Sequence, residues 1–157
     1  MAWTTPRTWV TNELVTAAML NTHIRDNLNY LLNPNGFFTS STGTFTTSSA
    51  TPVTVNAALS TTITTYGGDI LLGCSFRLES GATTDVFIAH DGGNDLRVVR
   101  VGVVNGYYAA TVLKKGIAAG SHSFQLRWNI SSTTATMRGI DGGGFVAAPI
   151  IFWAIEI

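Results

Sequence analysis

Short segments with the residue pattern of β-strands, separated by glycine-containing turns, follow one another from residue 67 to the end of the chain. The clearest is 122–130, in which Phe124, Leu126 and Trp128 share one side of an extended backbone. A period of two residues fits a half-buried strand and not a helix. Strands at such short spacing indicate a sandwich or barrel, so the chain is predicted to be all-β. The predicted strands are 70–78, 86–90, 96–104, 107–114, 122–130, 135–140 and 150–157.

Two glycine-containing motifs predict how these strands connect. Asn105-Gly106 suits a type I′ turn, in which both central residues need positive φ. It predicts that 107–114 returns antiparallel to 96–104. The segment Asp91-Gly92-Gly93-Asn94-Asp95 is predicted to be the hairpin loop that precedes 96–104.

A region rich in hydroxyl side chains precedes these strands. Between Thr39 and Thr65, 16 of 27 residues are Ser or Thr, and no charged residue occurs from 36 to 68. Threonine favours strands because its branched Cβ packs well on a pleated surface while its hydroxyl stays hydrated. The spacing of Val and Ile here is that of strands, which indicates short strands with polar outer faces rather than a mucin-like stalk.

Only the first 35 residues have a helical pattern. Thr16 is a good N-cap, and an apolar stripe of Ala17, Leu20, Ile24, Leu28 and Leu31 follows at steps of three and four. A stripe this narrow favours a coiled-coil seam with neighbouring subunits, in which Asn27 would fix the register. The other partner open to this helix is the rest of its own chain. We therefore expect an N-terminal arm and helix over 1–35 and a β domain over 36–157.

Charge excludes several classes of function. The chain carries nine basic and nine acidic residues, and only 11% of its residues are charged. A nucleic-acid binder needs a basic surface, so no nucleic-acid partner is expected. No run reaches 18 apolar residues and no export signal is visible, so neither a membrane span nor secretion is expected. The one cysteine, Cys74, lies in an apolar run and is predicted to be a buried thiol.

No catalytic motif is present, and the chain is not expected to be an enzyme. The three histidines, His23, His90 and His122, lie far apart in the sequence and none has metal-ligand spacing, so no metal or other cofactor is expected. His122 begins a strand and is expected to be partly buried in a structural role. The polar cluster around Asp91 and Asp95 could hold a hard cation, but a plain turn is favoured because the spacing is not that of a calcium loop.

Two parts of the chain resemble known families. The first is a leader over 3–28, which resembles one found on structural proteins of tailed bacteriophages. The second consists of segments 115–128 and 150–157, which resemble strands of jelly-roll heads related to tumour necrosis factor and C1q. The leader matches in Trp3-Thr4-Thr5-Pro6-Arg7-Thr8-Trp9-Val10 and in Glu13-Leu14-Val15-Thr16-Ala17-Ala18-Met19-Leu20-Asn21-Thr22-His23-Ile24-Arg25-Asp26-Asn27-Leu28. The resemblance implies a virion component, an antiparallel jelly-roll sandwich and a trimer. Its terminal strand would lie near the trimer axis, and the oligomerisation residues would include Phe152, Trp153 and Ile155.

The expected function is therefore that of a homotrimeric fibre or spike head, or of a capsid decoration protein, assembled in the host cytoplasm with other virion proteins. A host surface glycan or protein would be contacted by loops, since loops on rigid β scaffolds usually carry binding. The alternative is a structural subunit of a filament, tube or shell, with 36–66 buried between copies. A depolymerase is a third possibility, but the chain is too short for the long β-helix usual in those enzymes. The candidate contact residues are Asp91, Asn94, Asp95, Tyr107 and Tyr108.

Overall fold

The structure, a computed structural model, describes residues 4, 5, 7–32, 35–139 and 148–157. The side chains of Leu31, Asn94 and Asp95, three of the predicted site residues, lie outside the described part. The chain forms two compact units, Met1–Asn35 and Gly36–Ile157.

The first unit is built on one helical segment that begins where the sequence predicts. The Thr16 hydroxyl accepts a hydrogen bond from the backbone N–H of Met19 at 3.2 Å, which confirms Thr16 as the N-cap. The segment then has a wider π turn between two α-helical parts, so it is not a uniform α-helix. Its parts are α1 (Ala17–Leu20), the π turn (Asn21–Arg25) and α2 (Asp26–Leu32).

The second unit consists of antiparallel strands in two sheets. This confirms the predicted all-β, antiparallel jelly-roll sandwich preceded by one N-terminal helix. The strands are β1 (Gly36–Ser41), β2 (Thr44–Thr47), β3 (Val53–Thr54), β4 (Ser60–Thr65), β5 (Gly68–Ser80), β6 (Thr84–His90), β7 (Gly93–Val101), β8 (Val104–Ile117), β9 (Gly120–Ile130), β10 (Ala135–Arg138) and β11 (Ile150–Glu156).

The six-stranded sheet is organised around β5, its longest inner strand. On one side of β5 lie β11 and then β1, and farther along the same side lie β10 and then β2, while β8 pairs with the other side. In the five-stranded sheet the order is β3, β9, β6 and β7, with β4 also paired to β9. The four strands of the hydroxyl-rich region lie at the outside of the sheets: β1 pairs with β11, β2 with β10, and β3 and β4 with β9.

The core lies between the two sheets and is formed by alternate residues of each strand. On β9, Phe124, Leu126 and Trp128 are at most 1% exposed, which confirms the side of this strand that was predicted to be apolar. Cys74 on β5 is also buried, as predicted. The hydrophobic burial of these side chains is the main force that holds the sheets together.

One predicted hairpin is wrong. Asn105-Gly106 is not a turn but lies inside β8, opposite Glu79 and Leu78 of β5. The chain instead bends at 102–103, leaves the five-stranded sheet after β7 and enters the six-stranded sheet. A ladder along nearly all of β5 satisfies more backbone groups than a local hairpin would, and the Arg77 guanidinium also donates to Asn105 Oδ1 at 3.0 Å. Long-range pairing thus overrides the local turn preference.

Candidate functional sites

The outer side of the six-stranded sheet carries an apolar surface that we call the outer face. Because side chains alternate along a strand, Phe152 of β11 points into the core while Trp153 and Ile155 point outward. Phe38 of β1 is 68% exposed and pairs with Trp153. The outer face is made of Phe38, Leu71, Leu113, Trp153, Ile155 and Ile157.

Strand register brings these side chains together in rows. Leu71 lies opposite Ile155 on one side and Leu113 on the other, so three apolar side chains from three strands are adjacent. In the next row Trp153 lies against Gly73, where a β-carbon would clash with the indole ring. A glycine inside a strand often marks such a close approach. The absence of a side chain at Gly73 therefore lets the indole lie flat on the sheet.

Phe152 was predicted as an oligomerisation residue, and its position requires a correction. It is completely buried in its own protomer and packs edge-on against Phe37, with ring centroids 5.1 Å apart. Trp153 and Ile155 remain candidates for contact with another subunit because they lie on the outer face.

The tyrosines predicted in a contact loop lie within β8 instead. Tyr107 is 58% exposed, and Arg77 lies 6.0 Å from its ring centroid. Tyr108 points the other way and stacks on Phe76 at 6.1 Å, so it belongs to the packing of the core. Of this pair, only Tyr107 has a surface position from which it could contact a ligand.

The predicted helical stripe is exposed in the first unit. Leu20, Ile24 and Leu28 keep 42%, 47% and 53% of their surface accessible. Asn27, which was predicted to set the register of a seam, is instead buried against Thr4. Its amide accepts from the Thr4 N–H at 2.9 Å and donates to the Thr4 carbonyl at 2.8 Å, so it fastens the N-terminal arm to the helix. A primary amide has both N–H donors and a carbonyl acceptor, so it can pair with the N–H and the carbonyl of the same residue. This pairing within one chain accounts for the buried position of Asn27 without a seam between subunits.

A second site lies where β6 turns into β7. The turn is shorter than predicted, because His90 pairs with Gly93 and only Asp91 and Gly92 connect the two strands. Both have positive φ, 51° and 72°, as a type I′ turn requires. The turn places Asp91 beside the first part of β9, where its N–H donates to the Ser123 carbonyl at 2.9 Å.

Three polar side chains meet at this turn, and we call them the histidine cluster: His90, Asp91 and His122. His122 Nδ1 lies 2.8 Å from Asp91 Oδ2 and 3.0 Å from His90 Nε2, and His90 Nε2 lies 3.2 Å from the same carboxylate oxygen. Within the described residues, these three form the group of histidine, cysteine and acidic side chains that could share a metal ion. The spacing of His90 and His122 in the sequence does not predict this meeting, because they are 32 positions apart.

Hydrogen bonds from the surrounding backbone hold the cluster in place. The Ser123 N–H donates to Asp91 Oδ1 at 2.7 Å, and this bond, followed by the one with His122, lowers the pKa of Asp91 to about 2. The Asp91 carboxylate in turn raises the pKa of His122. The pKa of His90 is lowered, chiefly by burial, since its ring stacks on Phe124 at 5.1 Å. The cluster is therefore anionic at Asp91 and ordered before any ligand binds.

Comparison with known proteins gives no family for this chain. No family model and no curated protein matches it. Two crystal structures of an exo-β-1,3-galactanase from Phanerochaete chrysosporium, both with bound β-1,3-galactotriose, match 78% and 80% of this chain at 14% identity. The TM-scores are 0.33 and 0.34, and the chain spans 29% of the length of those enzymes. A likeness of this size carries no argument about function.

Membrane insertion through a helix finds no support in the described part of the chain. None of its helices has the length and apolar character needed to cross a bilayer.

Proposed function

We propose that this chain is a non-enzymatic structural protein of a virion, and that it assembles as a homotrimer through the outer face. The observation that carries the proposal is the apolar surface of the six-stranded sheet, where Phe38, Leu113 and Ile155 are 68%, 40% and 40% exposed. Soluble monomers rarely expose contiguous apolar patches beyond a few hundred Å², and larger ones mark contact surfaces. Removing these side chains from water would favour association.

The partner that fits this surface best is another copy of the same chain. The net charge is zero and only 11% of residues are charged, so copies repel one another weakly. Most soluble oligomers are symmetric assemblies of identical chains, in which the same patches meet. The resemblance to trimeric jelly-roll heads, whose terminal strand lies near the trimer axis, supports a trimer built around Trp153 and Ile155.

The virion role depends on the resemblance of 3–28 to the leader of bacteriophage structural proteins. In this proposal the first unit docks on other virion proteins or forms a helical bundle, and the β unit projects. Tyr107 and Asp91 are then surface groups that could contact a host glycan or protein. Three copies in one particle-bound trimer would add avidity to a weak single site.

Sedimentation velocity on outer-face variants tests the proposed assembly. We expect the wild-type protein to sediment as a trimer at micromolar concentration and Phe38→Asp or Leu113→Asp to sediment as protomers. Each change puts a charge into a contact from which water is excluded. Both side chains point outward, so the protomer should keep its fold, which circular dichroism would check.

Val103→Asp is the matched control, because Val103 is also apolar and is 79% exposed but lies in the bend after β7. It should sediment as the wild type does. A wild-type protein that stays a lone protomer at micromolar concentration would overturn the proposal. Electron microscopy of the same sample would separate discrete trimers from the filaments or shells of the alternative.

A further inference from the structure

We propose that the histidine cluster is a metal site, in which His90 Nε2, His122 Nδ1 and Asp91 Oδ2 bind one divalent transition-metal ion. This goes beyond the proposed function and reverses the expectation, drawn from sequence spacing, that the chain has no metal site. The chemical class is that of Zn²⁺, Co²⁺, Ni²⁺ and Fe²⁺, for which imidazole nitrogen with one carboxylate oxygen is a common ligand set.

The size of the cluster fits one face of an octahedral ion. Ligand atoms about 2.0–2.1 Å from an ion lie about 2.9 Å apart when they subtend a right angle. The three edges here are 2.8, 3.0 and 3.2 Å. An ion can therefore bind all three atoms with little movement. The Asp91 side chain is 45% exposed, which leaves the solvent side of the ion open to water.

The hydrogen bond on the far side of His122 determines which nitrogen can bind the ion. His122 Nε2 lies 3.0 Å from the Ala118 carbonyl oxygen, which can only accept, so Nε2 carries a hydrogen. In the neutral ring Nδ1 then has a lone pair, and that lone pair points at a carboxylate oxygen and another imidazole nitrogen. Three lone pairs at these distances repel one another unless a proton or a cation lies among them. A second-shell carbonyl that fixes the tautomer in this way is typical of metal-bound histidine.

The backbone around the cluster is arranged before an ion binds. Asp91 adopts a left-handed conformation, which is uncommon for a residue other than glycine. It is held there by three bonds with Ser123: its own N–H donates to the Ser123 carbonyl, and its Oδ1 accepts from both the N–H and the hydroxyl of Ser123. This leaves Oδ2 for the ion. An ion at the cluster would tie the turn between β6 and β7 to β9.

One nearby charge opposes a cation. The pKa of His90 is lowered chiefly by burial, and the positive charge of Lys114 on β8 adds a smaller contribution in the same direction. The same repulsion acts on a bound metal ion, so Lys114→Met should strengthen binding while changes to the ligands weaken it. Variants with opposite expected signs distinguish a specific site from general affinity for metals.

The test is titration of the full-length, tag-free protein with Co²⁺, followed by calorimetry and by the visible absorption of the bound ion. We expect one Co²⁺ per chain in the wild type. Asp91→Asn and His90→Gln should each weaken binding at least tenfold. Asn tolerates the left-handed conformation and keeps the acceptor for Ser123, so Asp91→Asn should fold normally. The thermal midpoint should rise with excess Co²⁺ in the wild type and not in Asp91→Asn, because a ligand that binds only the folded state stabilises it.

His23→Gln is the matched control, since it removes the one histidine outside the cluster. It should bind Co²⁺ as the wild type does. The proposal is overturned if the wild type binds no Co²⁺, if Asp91→Asn and His90→Gln bind it unchanged, or if His23→Gln loses binding to the same degree. None of these results depends on whether the protein is a trimer or part of a virion.

Discussion

Cys74 is the residue whose surroundings most clearly determine its chemistry. It lies on the inner side of β5 at 3% exposure, and burial raises the pKa of its thiol to about 12. The thiolate is the reactive form of cysteine. At pH 8 a thiol with that pKa is ionised in only about one molecule in ten thousand.

We therefore expect native Cys74 to resist alkylation for hours at pH 8 and to react fully in guanidinium chloride. Iodoacetamide labelling followed by mass spectrometry measures both, and the denatured sample is the control for reagent activity. Because the chain has a single cysteine, the native labelling rate would report opening of the core. Rapid, complete labelling of the folded protein would contradict the buried position.

Single residues show where sequence reasoning succeeds and where it stops. The burial of Cys74 could be predicted because a strand made of consecutive apolar residues is normally buried in the core. The meeting of His90 with His122 could not, because it depends on the register of β6 against β9, which pairs His90 with Phe124. Local spacing rules detect ligands within one turn or loop, whereas this cluster joins two strands. One sequence signal pointed toward this site. The even-numbered residues of 122–130 are predicted to face the core, and His122 is one of them.

At the level of elements, the helical segment of the first unit allows the most specific test of how the chain assembles. Leu20 and Ile24 are exposed one turn apart, and a pair of apolar side chains at this spacing can pack in a helical bundle. If the helix contributes to the trimer, Leu20→Asp with Ile24→Asp should dissociate it, because each subunit would bring two charges into a desolvated contact. Light scattering gives the mass of the assembly directly.

Leu14→Asp is the control for this double variant. Leu14 lies in the same unit and is 83% exposed, but it precedes the helix. It should leave the mass unchanged. An unchanged mass for the double variant would exclude a helical bundle and leave the outer face as the contact between subunits.

The strands also show why local turn signals can mislead. Asp91-Gly92 and Asn105-Gly106 are both strong type I′ sequences, yet only the first forms the turn. The difference lies in the partners available. β6 and β7 are neighbours in one sheet, while β8 has a long partner in β5 of the other sheet. The free energy that a dipeptide contributes to a local turn is small compared with the stabilisation from a hydrogen-bonded ladder that runs the length of a strand.

At the level of the whole second unit, the fold is closed by its last strand. β11 lies between β1 and β5, so the six-stranded sheet cannot form fully until the end of the chain is in place. Pairings between residues this far apart in sequence make folding slow, since loop closure precedes the gain from contacts. The β-branched and aromatic residues of 150–157 predicted a strand, but its two neighbours are set by the packing of the entire sandwich.

Deletion of 150–157 should therefore abolish folding of the β unit. The segment buries Ile150, Phe152 and Ala154 completely, and loss of one large core side chain such as Phe152 costs about 3–5 kcal/mol. Deletion removes three such buried residues and the backbone pairing on both sides. The combined cost is comparable to the whole net stability of a domain, which is about 5–15 kcal/mol. We expect no cooperative thermal transition by circular dichroism.

Ile155→Ser is the control: this side chain points outward, so the variant should still melt cooperatively. A soluble truncation with a cooperative transition would show that the strand is peripheral, and both the buried position of Phe152 and the role of β11 in the outer face would have to be abandoned.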